Sequence, residues 1–161
     1  MDHGWIGRKL IVASPALTSR FVEASAMIGP GAVVLAGIST RFIREVGVAV
    51  AAREADPAGA FRRTRGVLRF GEGIDQKALV RAYNGLGAII VQHLTALPGS
   101  DQHMEMQVRG AVRHAARVTV ELHRLLSAGQ RKPVVESMFG GAAMLAFRAK
   151  HPVSAAERAA G

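Results

Sequence analysis

Cysteine is absent from this chain of 161 residues, and aromatic residues make up only 5% of it. The absence of cysteine excludes disulfide bonds, thiolate metal ligands and a cysteine nucleophile. Because large aromatic side chains are scarce, Ala, Val, Leu and Gly must fill much of the core, which requires closely approaching elements. The length suits one ordinary domain, so we expect a single domain over residues 1–151 and a frayed tail over 152–161.

Acidic residues are also in short supply. The 12 Asp and Glu residues are outnumbered by 21 Lys and Arg residues, which gives a formal net charge of +9. A charge of this sign favours acidic partners, such as nucleic acid, an acidic protein surface or anionic lipid. Alanine and arginine are both abundant in proteins encoded by GC-rich genes, so the net charge alone does not define a function.

Long apolar runs are missing as well, and a membrane-spanning helix needs about 20 mainly apolar residues. The two best candidates are residues 24–40, which Gly29 and Pro30 interrupt, and residues 82–100, which contain several polar residues. The apolar run near the N-terminus is too short for a signal peptide. We therefore expect no membrane span, and a location in the cytoplasm or within an assembled particle.

Two segments have the periodicity of amphipathic helices. Residues 75–97 begin with Asp75, a suitable N-cap, and repeat apolar residues at steps of three and four up to Pro98. Residues 101–128 have an apolar stripe from Met104 to Leu125. The connection between the two segments is very short, which predicts an antiparallel helical hairpin. We expect a mainly α fold, a helical bundle organised on this hairpin.

The remaining patterns are weaker. Ser14 and Pro15 resemble an N-cap and a first helical residue, so they predict a helix that starts there and ends at Gly29 and Pro30. Further expected elements are a strand or helix start at 31–37, a helix at 40–55, a short strand at 67–70 and a helix at 133–149.

An α/β fold is the alternative, with KLIVA (9–13), AVVLAG (32–37) and AIIVQ (88–92) as parallel strands. The third of these lies inside the strongest amphipathic helix pattern of the chain. That overlap favours the mainly α fold.

No residue pattern carries a recognisable catalytic or cofactor signature. The histidines have no pair spaced four residues apart on a helix, the spacing that lets two imidazoles share a metal. His93 and His103, on either side of the hairpin turn, form the one pair that could approach a common ligand. The G-x-G stretches at 29–31 and 71–73 match neither a Walker nor a Rossmann fingerprint. We expect no cofactor and no metal, although haem ligation by one histidine and an enzymatic activity are left open.

Arginine clusters are the strongest candidates for binding. One cluster lies in FRRTRGVLRF, residues 61–70, and the other forms a stripe on the polar side of the second predicted helix, where it spans about 22 Å. Trp5, the single tryptophan, is a candidate anchor on a neighbouring subunit. The predicted partner-binding arginines are Arg62, Arg63, Arg65, Arg69, Arg109, Arg113 and Arg117, with Arg124 at the end of the same stripe.

These features predict a non-enzymatic interaction or structural subunit that self-associates or joins a larger assembly through basic surfaces. The alternative is a nucleic-acid-binding protein that uses the 62–69 cluster and the 109–117 stripe. A second alternative is a small enzyme or cofactor binder with a site that no motif marks.

Overall fold

Helices form nearly all of the part of the chain that the computed structural model describes, which comprises residues 2–54, 59, 70 and 74–128. Five helices are defined there: α1 (His3–Glu23), α2 (Ser25–Ile28), α3 (Gly31–Ala51), α4 (Gln76–Thr95) and α5 (Gln102–Ser127). The mainly α prediction is confirmed, and no strand occurs among these residues.

The α/β alternative is wrong for all three of its proposed strands, because 9–13, 32–37 and 88–92 lie within α1, α3 and α4. Burial along α1 shows the physical reason. Leu10 is fully buried, whereas Val12 is 78% exposed. In a strand, residues two positions apart share a face, so this contrast is the signature of a helix.

Helix α1 begins twelve residues before the predicted first helical residue, Pro15, because Asp2 caps it by accepting a hydrogen bond of 2.9 Å from the Trp5 amide. Pro15 lies inside the helix and has no N–H to donate to the Ile11 carbonyl. The Ser14 hydroxyl donates to that carbonyl instead, at 2.8 Å. Because the Ser14 hydroxyl replaces the missing N–H donor, the helix continues through Pro15, the residue at which the sequence predicted its start.

The predicted interruption at Gly29 and Pro30 is confirmed. Gly29 has a φ of 104°, a conformation that favours glycine, and it separates α2 from α3. Residues 31–37 form the first part of α3, and the helix predicted over 40–55 continues from them and ends at Ala51. The apolar residues on which that prediction depended, Phe42, Ile43, Val46 and Val50, are all buried.

Helices α4 and α5 match the two predicted helices to within two residues at each end. Asp75 accepts from the Ala78 amide at 2.6 Å, and Asp101 accepts from the Met104 amide at 2.8 Å, so each helix has a side-chain N-cap. The core-facing residues of α4 are fully buried: Leu79, Tyr83, Leu86, Ile90 and Leu94.

Contacts between α4 and α5 follow the order expected of antiparallel neighbours. The Tyr83 hydroxyl lies 2.8 Å from that of Thr119, and a Cβ on Gly87 would lie 3.0 Å from the Val112 side chain. The residue numbers of the contact partners on α5 therefore decrease as those on α4 increase. Tyr83 also packs edge-on against Phe42 of α3, with ring centroids 6.3 Å apart, so one side chain joins three helices.

Helices α1 and α3 cross where Gly7 meets Gly47. A Cβ on Gly47 would lie 2.8 Å from the Gly7 carbonyl oxygen and 2.9 Å from Cγ1 of Ile11. A Cβ on Gly7 would meet the Gly47 carbonyl oxygen even more closely. This contact bears out the expectation that a core with few aromatic residues requires close approach of its elements.

Several predicted elements lie outside the described residues: the strand at 67–70 except Phe70, the helix at 133–149 and the tail at 152–161. Phe70 packs against the core. Within the described part of the chain, none of the helices combines the length and the apolar character that crossing a membrane requires.

Gly47→Ala is expected to lower the free energy of unfolding by about 1–3 kcal/mol, because the added methyl group would overlap the backbone of α1. The matched control is Gly37→Ala, at an exposed helical position where a Cβ would meet no atom within 4 Å. That control should raise the free energy of unfolding by about 0.5–1 kcal/mol. Urea denaturation of both variants checks the contrast, and equal stabilities would contradict the close crossing.

Burial raises the pKa of the Tyr83 hydroxyl far above its ordinary value, and the hydrogen bond with Thr119 offsets a smaller part of that rise. The folded protein therefore holds this proton more tightly than the unfolded chain does. The resulting stabilisation is complete below about pH 10, where free tyrosine ionises, and is lost as the pH rises further.

Tyr83 is the single tyrosine, so the ultraviolet absorbance of phenolate reports on it alone. We expect this absorbance to appear together with the loss of helical circular dichroism, at a pH above that of the same protein in urea. Ionisation near pH 10 with full helicity would contradict the buried placement.

Candidate binding surface

Four arginines form an exposed face on α5, which we call the arginine face: Arg109, Arg113, Arg117 and Arg124. The opposite side of the helix is buried and includes Met104, Val108 and Ala115. The predicted position of the arginines, opposite the apolar stripe, is therefore confirmed. Their role as partner-binding residues stays a prediction.

Carboxylates pair with the two ends of the arginine face. Arg109 contacts Glu105 at 2.7 Å, and Arg124 contacts Glu121 at 2.6 Å. The hydrogen bond from Arg124, together with its charge, lowers the pKa of Glu121, although burial opposes this effect. Both pairs are largely exposed to solvent, so they neutralise charge locally and contribute little to stability.

The centre of the arginine face is different, because neither Arg113 nor Arg117 has an acidic partner among the described residues. The contact of Arg117 is with Nδ1 of His114, at 3.4 Å. Positive charge is therefore concentrated at these two arginines. They present N–H donors in the planar arrangement that binds carboxylate and phosphate groups.

A groove of about 480 Å³ lies between α4 and α5, open to solvent. Its apolar floor contains Val80, which is 41% exposed, and Val120, which is partly buried. Exposed Lys77 and Arg81 lie along the α4 side, and no acidic side chain of the described residues belongs to the lining. We call this feature the basic groove; Gln76 and Asn84 complete its lining.

The basic groove and the arginine face are parts of one surface. Val120 lies three residues after Arg117 and four before Arg124, so the three side chains share one side of α5. Met106, on the same side, is 57% exposed. Val120 is partly buried, because the neighbouring helix α4 covers part of it.

The cluster Arg62, Arg63, Arg65 and Arg69 lies outside the described residues, so its predicted role is not tested. Phe70, which ends that stretch of sequence, is half-buried and packs edge-on against His123, with ring centroids 5.1 Å apart. This phenylalanine contributes to the core.

Trp5 is partly buried against the core of its own domain, and Nζ of Lys9 lies 5.3 Å from the centroid of its ring. A cation over an indole face is a favourable contact. The ring therefore has intramolecular partners, and its predicted role as an anchor on another subunit stays a prediction.

His103 has a partner that no sequence pattern indicated. The ring of His3, at the start of α1, lies 6.1 Å from the His103 ring, and its Nε2 lies 3.9 Å from a carboxylate oxygen of Asp101. His3 is buried, and its Nδ1 has no hydrogen-bond partner among the described residues. The pair is separated by 100 positions, so only the packing of α1 against the hairpin turn could reveal it.

Across the described residues, no three His, Cys, Asp or Glu side chains are arranged to hold a metal ion.

His93 lies near Arg20 of α1, which donates a hydrogen bond of 2.8 Å to the side chain of the adjacent Gln92. Burial lowers the pKa of the His93 imidazole, and the positive charge of Arg20 lowers it further. The unfolded chain therefore binds the imidazole proton of His93 more tightly than the folded protein does. The stability that His93 contributes is present above about pH 6.5 and is lost as the pH falls below that value.

We expect the NMR titration midpoint of His93 to lie below the ordinary value for histidine. The Arg20→Gln variant should raise this midpoint part of the way back to the ordinary value. The recovery is incomplete because burial, the larger cause, remains in the variant. Arg8→Gln, which removes an exposed charge elsewhere on α1, is the control. A midpoint that Arg20→Gln does not change would contradict the proposed effect of its charge.

Comparison with known proteins assigns no relationship. No model of a protein family, no curated protein sequence and no solved structure matches the chain significantly.

Proposed function

We propose that this protein is a non-enzymatic binding subunit that joins a larger assembly through the arginine face and the adjoining basic groove. The observation that carries the proposal is the pair Arg113 and Arg117, exposed and without acidic partners among the described residues, beside a groove with an apolar floor.

A surface that combines exposed cations with apolar side chains is typical of a protein–protein interface. Arginine and methionine are both enriched at protein interfaces, and Met106 is exposed on this face. Guanidinium groups form paired hydrogen bonds with carboxylates, and such bonds are stronger than those between neutral groups. The surface therefore offers both specific polar contacts and apolar area.

Nucleic acid is the alternative partner, since the arginine face extends over about 22 Å and could follow a phosphate backbone. The apolar floor favours a protein instead, because Val80 and Val120 offer nothing to a phosphate. For the second alternative, an enzyme or cofactor binder, no three His, Cys, Asp or Glu side chains of the described part are arranged to hold a metal ion.

The charge reversal Arg113→Glu with Arg117→Glu should weaken assembly about 10-fold or more, because attraction for an acidic surface becomes repulsion. Arg41→Glu with Arg44→Glu, on the exposed side of α3, makes the same change of net charge and should have little effect. Size-exclusion chromatography with light scattering, on protein purified under mild conditions from its native cells, measures the assembly.

The wild type and the α3 control should elute in a complex larger than the 17.0 kDa chain, and the α5 variant should elute as the free chain. A wild type that is strictly monomeric, with no partner purified alongside it, would refute the proposed function.

A further inference from the structure

We infer that the basic groove binds an acidic amphipathic helix from a different protein. The inference rests on the proposed function and names the chemistry of the partner at that surface. It follows from the shape of the groove, the distribution of charge around it and the net charge of the chain.

The length of the groove suits a short helical segment. Its α4 side extends from Gln76 to Asn84, which is about 12 Å or just over two helical turns. Val80 of α4 and Val120 of α5 both line it. An amphipathic helix laid in a groove of this kind inserts apolar side chains at intervals of three and four residues. The length accommodates two or three of them.

Basic side chains lie on both of the helices that border the groove, and the described lining itself includes Lys77 and Arg81. Lys77 and Arg81 lie along α4, one helical turn apart, and Arg113 and Arg117 are spaced in the same way on α5. None of the four has an acidic partner among the described residues. A helix with apolar residues on one side and carboxylates on both of its flanks would complement the whole surface.

A second copy of the chain does not fit this surface. A symmetric dimer places the same patch on both subunits, so the arginines of one copy would face those of the other. Among the described residues, the lining of the basic groove contains no acidic side chain to relieve that repulsion. The charges therefore favour a different chain, with acidic residues in excess, as the partner.

Selection of peptides from an unbiased display library, with the folded wild-type protein as bait, tests the inference directly. We expect the enriched peptides to carry Glu or Asp and to repeat apolar residues at three- and four-residue intervals. A synthetic peptide of the enriched sequence should bind more tightly, by about 10-fold or more, than a scrambled peptide of identical composition. Fluorescence anisotropy provides both affinities.

Variants locate the binding site. Lys77→Glu with Arg81→Glu should weaken binding of the enriched peptide at least as strongly as Arg113→Glu with Arg117→Glu. Val80→Ser, at a partly exposed position, should weaken it while leaving the thermal unfolding curve nearly unchanged. Arg41→Glu with Arg44→Glu is again the control with equal net charge, and it should bind normally.

Four results would overturn the inference while leaving the proposed function intact, provided that the native complex still depends on Arg113 and Arg117. They are the absence of any enriched peptide, enrichment of basic or purely polar peptides, equal binding of the scrambled peptide, and normal binding by the Val80→Ser variant.

Tighter binding of a single-stranded oligonucleotide than of any selected peptide, with equal sensitivity to both charge-reversal pairs, would assign the surface to nucleic acid. A monomeric wild type without partners would refute both proposals together.

Discussion

The alignment of α4 with α5 is the constraint on which the candidate binding surface depends. Tyr83 and Thr119, both fully buried, are joined by a hydrogen bond of 2.8 Å, and Tyr83 also packs against Phe42 of α3. Breaking this bond would leave a polar group buried without a partner, which costs about 1–3 kcal/mol. Val80 lies one helical turn before Tyr83, and Val120 directly follows Thr119. The buried contact therefore brings the two valines to the same groove, which both of them line.

Positive charge is distributed unevenly along the arginine face. Glu105 and Glu121 neutralise the arginines at the two ends of the arginine face, and the two arginines at its centre have no acidic partner among the described residues. Exposed charge pairs contribute little to folding, so the central arginines can remain uncompensated at small cost in stability. Stability comes instead from uncharged contacts: the crossing of α1 and α3 at Gly7 and Gly47, and the apolar side chains between the helices. The arginines proposed to bind a partner thus differ from the residues that stabilise the fold.

Local signals account for what could be predicted of this fold. The N-caps Asp75 and Asp101, and the apolar repeats that follow them, act within a few residues, so the boundaries of α4 and α5 were predictable. The same kind of reasoning was wrong at Ser14 and Pro15, because the Ser14 hydroxyl bonds the carbonyl that proline leaves without its usual donor. The arginine face follows from helical periodicity alone. The basic groove does not, since it forms only where α4 and α5 lie side by side.

The sequence by itself determined the helical class of the described part, the hairpin segments, the side of α5 that carries arginine and the excess of positive charge. Each of these depends on composition or on residues no more than a few positions apart, where backbone geometry dictates which side chains share a side of a helix. Only the tertiary structure decided that His3 lies against His103, that Gly7 meets Gly47, and that Lys77 and Arg81 flank the same groove as Val120. These contacts join residues about 40 to 100 positions apart. They arise from the way whole helices pack, which many side chains set together and no local pattern encodes.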